Sequence, residues 1–98
     1  MNDEWGLATL GRTIVWARLR VRDAGTAEVF DSDGNTLAYD SEDTARAALM
    51  DAEFVSFDGL DPGDAYERGF ELSEVQPPQA DNDDTLRAQM FQPLGERN

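Results

Sequence analysis

Three groups of residues in this 98-residue sequence have the types and spacing to do chemistry. The first is Asp31-Ser32-Asp33-Gly34-Asn35, whose side-chain oxygens suggest calcium. A calcium loop of the helix–loop–helix kind needs oxygen ligands at positions 1, 3 and 5, glycine at 6 and glutamate at 12. Glu42 falls at position 12 from Asp31, but the glycine falls at position 4. The flanking residues also read as strands. Asp-Gly is the strongest signal for a tight hairpin, because it supplies positive φ angles. The segment is therefore predicted to be a turn, and no metal is expected.

The second group is Trp16, Arg18, Arg20 and Arg22, alternate residues that share one face of an extended segment. Arginine beside an aromatic suits base stacking and phosphate binding. It also suits a protein interface, where Trp and Arg are enriched among the residues that carry binding energy. The third group is the carboxylates. Twenty-one acids in a chain this short make close pairs unavoidable, so pairing alone does not point to acid–base catalysis. Histidine and cysteine are both absent. The commonest general base, the commonest metal ligand and all thiol chemistry are missing with them. No enzyme activity and no cofactor are expected.

The elements that position these groups follow from period and punctuation. In Thr13–Arg22, Val15, Ala17, Leu19 and Val21 alternate with the Trp/Arg set, which predicts a strand with one buried face. Asp23–Thr26 reads as a turn, Ala27–Asp31 as a second strand and Thr36–Tyr39 as a third. With two-residue turns at Ala24-Gly25 and Asp33-Gly34, Leu19 faces Phe30 and Phe30 faces Leu37. Leu19, Val21, Phe30, Leu37 and Tyr39 then share the buried side. Ala27, Val29 and Ala38 fall on the opposite side, with the arginines.

Asp40-Ser41 offers a helix N-cap, and Glu42 and Asp43 suit the positive end of the helix dipole. Ala45, Ala48, Leu49 and Ala52 form an apolar stripe at helical spacing. Phe54–Phe57 suits a fourth strand. Asp61-Pro62 opens a short second helix that Gly69 should end. The predicted fold is α+β: a three- or four-stranded antiparallel β-meander, one main amphipathic helix on one face, and a short second helix. Residues 13–78 make the single domain. Residues 1–12 form an N-terminal segment open to fraying, and residues 79–98 an acidic, mobile tail. Trp5, Trp16, Met50, Met90 and Phe91 lie outside the core pattern, so they either cap a thin core or form an interface.

The net charge of −13 is unevenly spread. Residues 1–30 balance four acids with four arginines. Residues 31–60 carry eight acids against Arg46, and residues 61–98 nine acids against three arginines. Such a field repels phosphate backbones and anionic membranes and attracts basic partners. An acidic face of Asp40, Glu42, Asp43, Asp51, Asp58, Asp61 and Asp64 is expected. No apolar run approaches the ~18 residues of a membrane-spanning helix, and the N-terminus is acidic. A cytoplasmic protein is expected. All eight cations are Arg, the bias of a GC-rich bacterial genome.

Three strands followed by one packed helix over Val15–Ala52 resembles the DNA-binding domains of certain plant transcription factors and of integrase N-termini. The resemblance implies DNA reading from an exposed sheet face through Arg18, Arg20 and Arg22. The charge departs from that pattern, since phosphate contacts supply most non-specific affinity. Imitation of DNA is a further possibility. Duplex DNA presents one charge per about 110 Å², while the acids of a domain this size average about 270 Å² each, so mimicry would need them gathered on one face. The reading that results is a non-catalytic protein-binding accessory, inhibitor or immunity-type module for a basic partner. The candidate interaction surface is Trp16, Arg18, Arg20, Arg22 and Val29. The alternatives are a nucleic-acid mimic and a nucleic-acid binder using Arg18, Arg20 and Arg22.

Overall fold

The computed structural model describes residues 2–94. Met1 and the last four residues of the expected tail, 95–98, lie outside the described residues. The described residues form an open antiparallel sheet of six strands with three α-helices and two 3-10 turns, Phe57–Gly59 and Leu72–Glu74, an α+β architecture. Strands β1 (Asn2–Leu10) and β2 (Thr13–Val21) are the longest pair. Strands β3 (Ala27–Phe30) and β4 (Thr36–Tyr39) complete a meander. Helix α1 (Glu42–Asp51) leads to the two-residue β5 (Val55–Ser56). Helix α2 (Pro62–Glu67), helix α3 (Asp83–Ala88) and β6 (Phe91–Pro93) follow. The order across the sheet is β4-β3-β2-β1-β5. Strand β6 pairs with Thr13–Val15 of β2, in line with β3, which pairs with Arg18–Val21.

The sequence reading assigned no strand before Thr13. Strand β1 nevertheless pairs with β2 over its whole length, from Asn2↔Val21 to Leu10↔Thr13. The connection is the two-residue loop Gly11-Arg12, with Gly11 at φ 61. Glycine at the first loop position is the type II′ pattern, whose twist matches that of the strands.

The next two connections correct the expected register. Arg22 N–H donates to Thr26 O and Gly25 N–H to Arg22 O, so the loop holds three residues, 23–25. Asp31 N–H donates to Asn35 O and Gly34 N–H to Asp31 O, again a three-residue loop. Gly25 (φ 87) and Gly34 (φ 88) occupy the left-handed last position of each. The extra residue in the first loop turns β3 over. Leu19 therefore faces Val29, not Phe30. The extra residue in the second loop turns β4 back, so Val29 faces Leu37 and Phe30 faces Thr36. Leu19, Val21, Leu37 and Tyr39 keep their predicted side, while Phe30 changes places with Ala27 and Val29.

Both faces of the sheet are covered. On one side Ala17, Leu19, Ala27, Val29 and Ala45 form a core, with Tyr39, Leu49 and Phe54 against it. Ser41 caps α1 by accepting from Thr44 N–H, as its position suggested. On the other side Leu7, Ile14, Trp16 and Phe30 pack with Ala65, Phe70, Val75, Leu86 and Met90. That second layer is built from residues 57–94. Asp61 caps α2, with Pro62 at its first turn and Gly69 at φ 95 beyond its end. Asn82 caps α3 by accepting from Thr85 N–H. Where an acidic tail was expected, residues 83–93 thus form a helix and a strand. Trp16 N–H donates to Met90 O, which fastens this segment to β2. Among the described residues no helix is long and apolar enough to cross a membrane.

Candidate functional site

The predicted interaction stripe takes its environment from the second layer. Trp16 and the buried parts of Arg18 lie beneath residues 57–94 and not at the surface. Trp16 is 0% exposed. Its ring meets Trp5 edge-on at 6.0 Å between centroids and Phe57 at 5.2 Å. Its indole N–H has no partner among the described residues. Arg18 is 9% exposed, with its guanidinium 5.1 Å from the centre of the Phe30 ring and Nη1 3.2 Å from Asp83 Oδ1. Asp31 Oδ1 accepts from Asp33 N–H and Asn35 N–H and holds the hairpin loop. Val29 is buried under α1, because the three-residue loop turned β3 over.

Arg20 and Arg22 are the more accessible members of the stripe, and each is joined to an acid of its own sheet. Arg20 makes two bonds to the Asp3 carboxylate, 2.8 and 3.1 Å long. These bonds hold the Asp3 carboxyl below its ordinary range and raise Arg20 above its own. Arg22 pairs with Glu28. Arg46 on α1 binds Glu42 one turn back and Glu4 across on β1. Hydrogen bonds that Arg46 donates to those two carboxylates, Glu42 first, raise its pKa.

The predicted acidic residues are brought together only in part. Asp40, Asp43 and Asp51 are exposed around α1, and Glu42 beside them is half-buried in its pair with Arg46. Asp58, Asp61 and Asp64 are exposed on the segment that covers the other face. The set is divided between the two sides of the sheet. Among the described residues no cluster of three or more acids could hold a metal ion.

A feature absent from the sequence reading lies on the α1 side. An apolar cleft of about 270 Å³ opens between the start of β1 and the end of α1. Gly6 and Leu19 form its floor, Leu49, Met50, Phe54 and Val55 its walls, and the Glu4–Arg46 pair its rim. A Cβ at Gly6 would meet Phe54 and Leu49 at 3.6 and 3.7 Å, so the missing side chain leaves the space open. The volume falls just below the roughly 300 Å³ at which small-molecule sites begin. Of the residues left outside the predicted core, Trp16 and Met90 are fully buried and Trp5 is half-buried. Met50 is 72% exposed and Phe91 47%. Met50 and Trp5, both set outside the core pattern, were the sequence signals for this cleft. The chain matches no family model, no curated protein and no solved structure.

Proposed function

We propose that this chain is a non-catalytic protein-binding module, an accessory, inhibitor or immunity-type protein that engages a basic partner. The ion-pair pattern carries the reading. Arg18, Arg20, Arg22 and Arg46 are each joined to a carboxylate of the chain itself. Asp40, Asp43, Asp51, Asp58, Asp61 and Asp64 meanwhile stay exposed. Those four cations are turned inward or neutralised, and the net surface field that meets a partner is negative. The same pattern disfavours direct nucleic-acid binding, since Arg18 is buried and Arg20 is engaged twice by Asp3. Mimicry of DNA is supported less well, because the acids lie on both sides of the sheet.

The test is capture on the immobilised full chain from a nuclease-treated lysate of the source cells at low salt. The expected result is a basic protein, released by a salt gradient, that rebinds when purified and stays bound against excess duplex DNA. Failure to retain any basic protein would overturn the reading. Displacement of the captured protein by duplex DNA would replace it with mimicry.

A further inference from the structure

Strand β4 ends the sheet on one side, and no strand lies beyond it among the described residues. At the other end the chain itself closes the sheet, running from β5 into the turn Phe57–Gly59 beside β1. The hydrogen-bond pattern says which groups of β4 are unused. Asp31 N–H donates to Asn35 O, and bonded pairs alternate along an antiparallel ladder. The bonded pairs are therefore Val29↔Leu37 and Ala27↔Tyr39. Thr36 and Ala38 turn their N–H and C=O groups outward, where an extended chain could meet them. Residues 33–38 are all exposed. The strand holds neither proline nor a charged residue, the usual guards of an edge.

The charge around this edge selects its occupant. Residues 31–45 carry five acids and no cation. Asp33, Asp40 and Asp43 are exposed and join no ion pair among the described residues. On the Thr36 side of the sheet a polar cavity of about 340 Å³ opens between the edge and α3. Asp33, Thr36, Asp83 and Asp84 line it with Phe30, and Arg87 is the one cation in the lining. Asp83 is taken by Arg18, which leaves Asp33 and Asp84 against Arg87. A second copy of the chain is a poor occupant. An antiparallel β4–β4 pair centred on Leu37 would set Thr36 opposite Ala38 and bring Asp33 of each copy beside Asp40 of the other. Like charges opposed across an interface are costly, whereas a cationic segment is complementary.

We propose that the β4 edge takes up an extended basic segment of the partner as an added strand, bonded to the backbone of Thr36 and Ala38, with an Arg or Lys opposite Thr36 reaching the Asp33–Asp84 cavity. Side chains alternate between the faces of an added strand, so its next residue lies beside the exposed Leu37 and is apolar. This rests on the reading of the chain as a binder of basic proteins. Backbone pairing supplies affinity in this mode, and the side-chain pocket supplies specificity.

The probe is a phage-displayed library of random decapeptides selected against the full chain at low salt, with the most enriched peptide then synthesised. The expected peptide alternates Arg or Lys with apolar residues. It shifts the amide signals of Thr36–Asp40 in a ¹H–¹⁵N spectrum. Ala38→Pro removes an outward N–H that β3 does not use, so the ladder survives and binding falls about tenfold. Asp33→Asn with Asp84→Asn, both at exposed positions, should weaken binding severalfold without lowering the melting temperature. Asp51→Asn with Asp58→Asn removes the same net charge elsewhere and should leave binding unchanged. Enriched basic peptides that shift other amides, or that bind both the Ala38→Pro and the Asp33/Asp84 variants as tightly as wild type, would overturn the site and leave the basic-partner reading standing. Absence of any basic consensus would overturn both. A dimer abolished by Ala38→Pro would assign the edge to a second copy and overturn the proposal.

Discussion

Met90 offers the sharpest test of whether the segment after residue 79 belongs to the fold. Its side chain is 0% exposed, in the core with Leu7, Trp16 and Leu86, and its carbonyl accepts from Trp16 N–H. Met90→Ala keeps the backbone bond and removes the buried side chain. Deletions of this kind cost about 2–5 kcal/mol, the spread reflecting how far the cavity collapses. A domain of this size has a total stability of roughly 5–15 kcal/mol. A central loss of about 3 kcal/mol lowers the melting temperature by roughly 12–24 °C, at about 4–8 °C per kcal/mol. Urea titration followed by circular dichroism gives the free energy, and calorimetry gives the melting temperature. A loss below about 0.5 kcal/mol would refute the reasoning, because it would place Met90 in an undocked tail.

Three further outcomes follow from particular contacts. Gly25→Ala and Gly34→Ala impose the same strain, since φ is 87 and 88, but the new Cβ meets nothing at residue 25 and lies 2.7 Å from Arg87 Cδ at residue 34. Urea melts should show about 1 kcal/mol lost at Gly25 and more at Gly34, with Arg87→Ala recovering only the excess. Asp3→Asn should cost at most about 1 kcal/mol at neutral pH, since the pair with Arg20 is partly exposed. The Asp3 carboxyl is held below its ordinary 3.8, so its contribution is present above that value and disappears as pH falls through the lowered one. Stability curves of wild type and variant should converge there in acid, and a constant offset at all pH values would contradict the pairing. Arg18→Leu should change stability by no more than about 1 kcal/mol, because an apolar replacement of a buried ion is often neutral and Asp83 can rehydrate.

What could be read from the sequence was set by local chemistry. Ser41, Pro62 and Gly69 mark helix ends through bonds made within four residues, and the helices stand where those signals placed them. Register depends on loop length, and Asp33-Gly34 suits both two- and three-residue loops. One uncounted residue in each hairpin turned β3 over and turned β4 back, so the register error fell on the four residues of β3, Ala27–Phe30. Strand β1 escaped notice because Gly6 and Ala8 interrupt its apolar alternation. Segment 83–93 escaped because its acids mask Leu86 and Met90, four residues apart on a capped helix and its exit.

The candidate site was harder to read, because its parts meet only in three dimensions. Nothing near Trp16 in sequence reports that Leu86 and Met90 will cover it. Nothing near Gly6 reports that Leu49 and Phe54 will frame a cleft around it. The arginine stripe was legible as an alternation, but its partners Asp3, Glu28 and Asp83 are fixed by pairing and by the return of the chain.

The central claim is that the face carrying Trp16 and Arg18 is covered by the chain's own residues 57–94. Acrylamide quenching of Trp16 fluorescence in a Trp5→Phe variant tests it directly. The account predicts a blue-shifted emission with quenching far below that of free tryptophan, rising to the free value only on unfolding. Red-shifted emission with full quenching in the folded protein would contradict it and return the stripe to the surface.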